Sequence, residues 1–252
     1  MKRSTTKDKF IRIISIAFWL LVWQIVAVCI NQELFLPSCT KVISTLIALI
    51  FKASFWSSIL FSIERVSLGF VLSVSIALLF AVIAYKSPVV RILIEPLVKA
   101  VRSVPVASIV ILALVWISSR NLSVVISFMI IFPVVYTSVL DGLFAIPDEM
   151  LEMSTVYKIT GPRRFRYIYI PYVMPFFSTA VKTALGLGWK SAIAAEVIGL
   201  PNGSIGEQLY NAKVYFSTPA LFAWTIVIVV LAAIFEHLVL FLLSSASRRL
   251  ER

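Results

Sequence analysis

The sequence is poor in the residues and motifs that enzymes use most often for catalysis. It has one histidine and two cysteines in 252 residues. It contains no glycine-rich phosphate-binding loop followed by Lys and Ser or Thr, no Gly-x-Ser-x-Gly nucleophile turn and no His-Glu-x-x-His metal pair. We therefore expect no catalytic residues, no metal site and no cofactor in this chain, and we expect any ATP hydrolysis to occur in a partner.

Acidic residues are scarce as well, with 12 Asp and Glu against 23 Lys and Arg. A net charge of +11 would suggest nucleic-acid binding in a soluble protein. Here 60% of the residues are hydrophobic and the mean hydropathy is +1.00, which indicates a membrane protein. In such a protein basic residues flank the spans on the cytoplasmic side, so we expect a lipid bilayer and no nucleic acid as partner. Whether Cys29 and Cys39 pair is left open, because two cysteines form no disulfide framework.

The length and the apolar runs predict an all-α membrane protein with about six transmembrane helices. We predict a single domain over residues 1–252, with an extra N-terminal span and outer loop at 1–54 and a core at 55–243. The apolar runs that define the spans are 13–30, 55–85, 104–116, 122–140, 171–198 and 220–243.

The distribution of Lys and Arg predicts the orientation of these spans. Basic residues concentrate at both ends of the chain and in two internal segments, while the intervening connections hold few. By the positive-inside rule we expect both termini in the cytoplasm. The terminal basic residues are Lys2, Arg3, Lys7, Lys9, Arg12, Arg248, Arg249 and Arg252.

Residues 146–171 form a polar, basic island between two apolar runs. Acidic residues, including Glu152, suit the start of a short helix, and we expect Gly161 to end it in the left-handed conformation. The next proline suits the start of a second short helix, Arg163 to Tyr169, which we expect Pro171 to close. The pattern predicts a helical elbow that projects into the cytoplasm.

This elbow resembles the cytoplasmic coupling loop of bacterial ABC-importer permeases, which has a Glu, two small residues, a Gly and a closing Ile-x-Leu-Pro. Lys158 stands where the family usually has glycine, and the nearest glycine comes three residues later. The resemblance implies that the elbow docks on a separate ATPase. It assigns this ATPase coupling to Glu152, Met153, Ser154, Lys158, Gly161, Phe165, Ile168 and Pro171.

Three further runs resemble the nitrate, sulfonate and taurine branch of these permeases. They are Ser62 to Phe70, the run ending at Pro105, and Trp189 to Gly199. The resemblance implies the bundle of type I (MetI-like) importer permeases, in the bacterial cytoplasmic membrane. It implies a path for a small solute of the sulfonate, nitrate, taurine or vitamin-precursor type. The implied partners are two cytoplasmic ABC ATPase subunits, a second permease copy and an extracytoplasmic solute-binding protein.

The run 171–198 combines small residues with charges. Ala184, Gly188 and Ala192 recur every four residues, so we expect this stripe to pack closely against another helix. Lys190 and Glu196 are candidates for lining the solute path, because charged groups in a bilayer are costly and often functional. A structural partner on another helix is an equally open interpretation.

Two other functions fit parts of the sequence. The transmembrane coupling subunit of an energy-coupling-factor vitamin transporter also has a basic cytoplasmic helical region, but it normally carries two Ala-Arg-Gly triplets, and this chain has neither. A stand-alone secondary carrier could use Glu64, Lys190, Glu196 and Glu236. Transport without any ATPase would favour the carrier.

Overall fold

A computed structural model describes the backbone of residues 6–250 and the side chains of residues 10–11 and 14–245. The regular elements in this part are all helical. In chain order they are α1 (Thr6–Ile30), α2 (Cys39–Ile50), α3 (Ala53–Lys86), α4 (Pro88–Ser103), α5 (Val106–Ala113), α6 (Ser119–Phe144), α7 (Asp148–Val156), α8 (Pro162–Arg164), a π-helical turn (Phe165–Tyr169), α9 (Ile170–Gly199), α10 (Ile205–Val214) and α11 (Thr218–Leu250).

The basic residues that predict cytoplasmic termini have side chains outside the described part. The orientation of the chain therefore stays a prediction. These residues are Lys2, Arg3, Lys7, Lys9, Arg12, Arg248, Arg249 and Arg252.

Three helices of the described part are long and apolar enough to cross a membrane: α3, α6 and residues Thr218–Ser245 of α11. Helices α4 and α5 form a further apolar pair, bent by 106°, which makes four spans if the pair counts as one. Helix α9 has 30 residues, a length of about 45 Å, but it carries Lys182, Lys190 and Glu196. The six expected spans correspond to α1, α3, the bent pair, α6, α9 and α11, and the number six stays a prediction.

Helix α6 is the centre of the bundle and packs most extensively against α9 and α3. Its Ile131 and Val135 are at most 1% exposed and face small residues, among them Ala77 on α3 and Ala184 on α9. Small side chains let helix backbones approach closely. Such close packing drives helix association in a membrane, because the lipid is as apolar as the side chains and the hydrophobic effect does not bring the helices together. The three helices therefore form a tightly packed centre for the rest of the bundle.

Helices α1 and α11 lie at the periphery and expose much apolar surface, as expected of helices that face lipid. Trp23 anchors α1, because its indole N–H donates to the Pro37 carbonyl over 3.2 Å and its ring lies 5.5 Å from that of Phe222. Cys29 and Cys39 are not bonded to each other.

The structure differs from the predicted outer connection and from the predicted third span. Residues 31–54, expected as a connection, contain α2, which starts where the Ser38 hydroxyl accepts the Lys41 N–H and which buries Val42. The span expected over 104–116 holds only the eight-residue α5, because Pro105 precedes it and the chain turns after Ala113. Both differences arise in short apolar runs, where hydropathy alone does not separate a span from a shorter helix.

Candidate functional site

The elbow begins with α7, which carries Asp148 and Glu149 in its first turn, while Glu152 lies one turn further on. The left-handed residue that follows α7 is Lys158 and not Gly161, so the prediction that Gly161 ends this helix was wrong. Lys158 has a φ of +51°, and the Ile159 and Lys158 N–H groups return to the carbonyls of Ser154 and Thr155 over 2.8 and 3.1 Å. These bonds form a Schellman motif whose left-handed position usually holds glycine. A glycine, which the resemblance to ABC-importer permeases would place at Lys158, would adopt this left-handed conformation at a lower cost than lysine does.

Gly161 instead forms the corner between the two parts of the elbow. It has a φ of +56° and a ψ of −127°, a conformation that residues with a Cβ rarely adopt. After the corner, the helix does not stop at Pro171, contrary to expectation. The Ile170 N–H donates to the Phe165 carbonyl in the π-helical turn, and Pro171, in the first turn of α9, is tolerated there without an N–H. The second arm of the elbow is thus continuous with α9.

One face of α7 is apolar and open to its surroundings. Met153, Val156 and Tyr157 are 41%, 77% and 72% exposed, and Glu152 lies exposed beside them. Ser154 is fully buried, its hydroxyl donating to the Leu151 carbonyl over 2.6 Å. Exposed apolar groups that cluster on a polar segment indicate a protein-binding surface. Of the remaining elbow residues predicted for coupling, Phe165 is exposed and Ile168 is buried.

Gly188, in the small-residue stripe of α9, lies against α6. Ala184 and Ala192 are fully buried, and a Cβ added to Gly188 would lie 2.7 Å from Ile131 Cγ1. Gly186, two residues earlier, has no heavy atom within 4 Å of the same added atom. The contact at Gly188 thus lies inside one subunit, and the packing role of the whole stripe stays a prediction.

Gly188→Ala is expected to lower the stability of the bundle by about 1–3 kcal/mol, because the added methyl group overpacks the contact with Ile131. Gly186→Ala is the matched control: it adds the same group to the same helix in open space and should be neutral or slightly stabilising. Thermal unfolding of the purified variants measures the difference. Equal melting temperatures for the two variants would mean that Gly188 and Ile131 are far enough apart to accommodate a methyl group.

A different face of α9 is uncovered within the subunit; it carries polar side chains beside apolar ones such as Leu187, and we call it the polar face for its charges. Thr179, Lys182, Thr183 and Lys190 are exposed, and the two lysines are eight residues apart, about 12 Å along the helix. Within the described residues, neither lysine has a carboxylate oxygen within 4 Å. Two such cations on a long helix of a membrane bundle are costly against lipid. This face therefore requires water, an anion or another protein surface next to it.

Glu196 is not on that face, because its side chain is fully buried. The Ser62 hydroxyl donates to its Oε2 over 2.7 Å, and the Gly206 N–H donates to the same oxygen over 3.3 Å. Ser62 in turn accepts the Ile205 N–H over 3.1 Å. The carboxylate thus links α9 to α3 and to the first turn of α10, which favours the structural role for Glu196. Any part of Glu196 in lining the path stays a prediction.

Gly206 allows this link, since a Cβ at this position would overlap the Glu196 backbone. Sequence reasoning singled out Ser62 and Glu196 only as members of separate motifs. Their sequence separations, up to 143 residues for the bonds of Ser62, explain why no local pattern connects them.

Residues 69–252 match the family described as the binding-protein-dependent transport system inner membrane component. This match covers the packed centre, the elbow and the polar face of α9. The chain belongs to this family. It is a permease subunit of the ABC-importer type and not an enzyme. The match supports the importer-permease interpretation of the sequence.

Several curated permeases are similar to this chain over most of its length. A putative aliphatic sulfonates transport permease protein of Bacillus subtilis is 22% identical, over 86% of this chain and 79% of the relative. The taurine transport system permease protein of Escherichia coli is 24% identical, over 88% and 83%. A nitrate import permease protein of Synechococcus elongatus is 23% identical, over 79% and 75%. These relatives are named for the transport of sulfonates, taurine and nitrate.

Proposed function

We propose that two copies of this permease enclose a path for a small anion of the sulfonate or oxyanion type. The observation that carries the proposal is the polar face of α9, where Lys182 and Lys190 are exposed with no carboxylate oxygen within 4 Å in the described chain. A second copy facing this surface would shield it from lipid and leave two rows of cations along a wet path. The printed names of the relatives, which cite sulfonates, taurine and nitrate, support this class of solute.

The permease would work with two ATPase subunits on the cytoplasmic side and a solute-binding protein outside. The exposed face of α7 is suited to docking on an ATPase, and the second arm of the elbow continues into α9. Motion of the elbow would thus reach the helix that carries both lysines. This arrangement fits alternating access, in which packed helices move as nearly rigid bodies around a fixed site.

Reconstitution tests the path directly. In vesicles that contain the permease, its ATPase and its binding protein, Lys182→Gln/Lys190→Gln should lower ATP-driven uptake of an alkyl sulfonate by about tenfold or more, since each charged contact contributes about 1.5–3 kcal/mol. The matched control, Lys52→Gln/Lys213→Gln, removes two exposed cations outside α9 and should leave uptake unchanged. Uptake by the permease without its ATPase would contradict the proposed coupling. Equal uptake by both variants would remove the lysines from the path.

The orientation is tested by thiol labelling in intact cells, in a background without Cys29 and Cys39. Arg120→Cys and Asn202→Cys lie at exposed positions of predicted outer connections and should react with an impermeant reagent. Arg163→Cys is equally exposed, so it should react only after the cells are permeabilised. Reaction of Arg163→Cys in intact cells would place the elbow outside and overturn the coupling proposal.

A further inference from the structure

An apolar groove lies next to the elbow, at the end of the bundle where α3 and α6 finish. It has a volume of about 390 Å³, within the range of about 300–1,000 Å³ that small-molecule sites occupy. The surface that lines it is entirely apolar. Its walls come from four elements of the bundle and the π-helical turn, including Leu78, Val139, Phe165, Met174 and Leu243.

A second cavity of about 280 Å³ adjoins the groove and has a polar opening. The two cavities share the lining residues Val82, Leu143, Phe165 and Tyr169, so they lie side by side, and we call them together the depression. Lys86, at the end of α3, and Arg164, in the elbow, line the opening. The depression is thus apolar at one end and basic at the other.

Neither cation at the opening is neutralised within the described residues. No carboxylate oxygen lies within 4 Å of Lys86 or Arg164. Phosphate oxygens are acceptors well suited to such unpaired guanidinium and ammonium groups.

We propose that this depression binds an anionic phospholipid, with one acyl chain in the groove and the phosphate between Lys86 and Arg164. The charge of the headgroup favours an anionic phospholipid over other occupants. A zwitterionic lipid or a detergent would fill the apolar end equally well but would not neutralise the two cations at the opening. With the elbow in the cytoplasm, the lipid would come from the inner leaflet, where basic pockets between helices bind anionic headgroups.

The location gives the lipid a mechanical role. Phe165 and Tyr169, which line both cavities, are the first and last residues of the π-helical turn that joins the elbow to α9. An acyl chain in the groove would pack between this turn and the ends of α3 and α6. A bound lipid would therefore stabilise one position of the joint through which the elbow moves α9.

Native mass spectrometry of the purified full-length permease tests the binding without any partner or transport assay. After delipidation, phosphatidylglycerol should be retained about tenfold more than phosphatidylcholine with the same acyl chains, because each basic residue adds to the binding of an anionic headgroup. Lys86→Gln/Arg164→Gln should abolish this preference. Arg163→Gln/Arg166→Gln removes the same charge from exposed positions that do not line the depression, and it should keep the preference.

A photo-crosslinking residue locates the acyl chain in the otherwise unchanged protein. Placed at Met174, in the groove, it should capture phosphatidylglycerol, whereas at the exposed Val71 it should show no preference between the two lipids. Equal retention of both lipids, an equal effect of the two double variants, or capture of a second permease copy from Met174 would each overturn the proposal.

Discussion

Replacing Glu196 with alanine is expected to lower the stability of the permease more than truncating an exposed side chain such as Glu64 or Tyr157. The change leaves the Ser62 hydroxyl and the Gly206 N–H without their acceptor in a fully buried location. An unsatisfied buried donor costs about 1–3 kcal/mol, so the two together predict a loss of roughly 2–6 kcal/mol in the free energy of unfolding. Thermal unfolding in detergent, followed by tryptophan fluorescence, measures the loss.

Two variants separate this network from a general effect of charge. Glu64→Ala removes a carboxylate from an exposed position on α3, close in sequence to Ser62, and should leave the melting temperature unchanged. Glu196→Gln keeps an oxygen acceptor in the same place and should lose less stability than Glu196→Ala. If Glu196→Ala melts like the unchanged permease but transports poorly, then Glu196 acts in the path and not in the packing.

The sequence predicts the class of this fold well, because its evidence is local and strong. Long apolar runs predicted α3, α6 and α11, since a bilayer requires about 20 apolar residues in a helix. The short helix α10 begins with a local signal of the same kind, because the Ser204 hydroxyl accepts the Glu207 N–H over 3.0 Å. The expected family is confirmed by the match over residues 69–252.

The errors arose where backbone conformation departs from residue preference. Glycine is the usual left-handed residue at the end of a helix, so Gly161 was expected there, yet Lys158 takes that position. Pro171 was expected to end a helix, but a proline is tolerated in the first turn after a π-helical segment. In both cases the hydrogen bonds of neighbouring residues decide the outcome, and those bonds are not visible in residue types.

The candidate site was harder to predict because it depends on which face of α9 is covered. Lys190 and Glu196 looked alike in the sequence as charges within one span. In the structure Lys190 is exposed, whereas Glu196 is enclosed by residues from α3 and α10. Contacts between residues more than a hundred positions apart separate the two roles, and a single sequence does not reveal such contacts.

Tyr157→Ala in the elbow is expected to have the largest effect on transport while leaving the permease folded. Tyr157 is 72% exposed and lies beside Val156 and Met153, so its removal affects no packing within the subunit. If this surface docks on the ATPase, an exposed aromatic residue on it is the kind of contact whose loss costs about 2 kcal/mol or more, roughly a 30-fold weakening. Co-purification of the ATPase with the permease, measured alongside ATP-driven uptake, should show both falling together.

Tyr215→Ala is the matched control, since Tyr215 is 78% exposed and follows α10, in a predicted outer connection. It should retain the ATPase and the uptake. Glu152→Lys reverses an exposed charge on α7, five residues before Tyr157. A charge at the rim of an interface contributes about 0–1 kcal/mol, whereas one that becomes buried against a basic partner costs about 2–5 kcal/mol when it is lost. The losses of ATPase retention caused by the two variants therefore locate the centre of the docking surface. A small loss for Glu152→Lys together with a large loss for Tyr157→Ala places that centre on the apolar face of α7. Full ATPase retention by both variants would move the coupling contact away from α7.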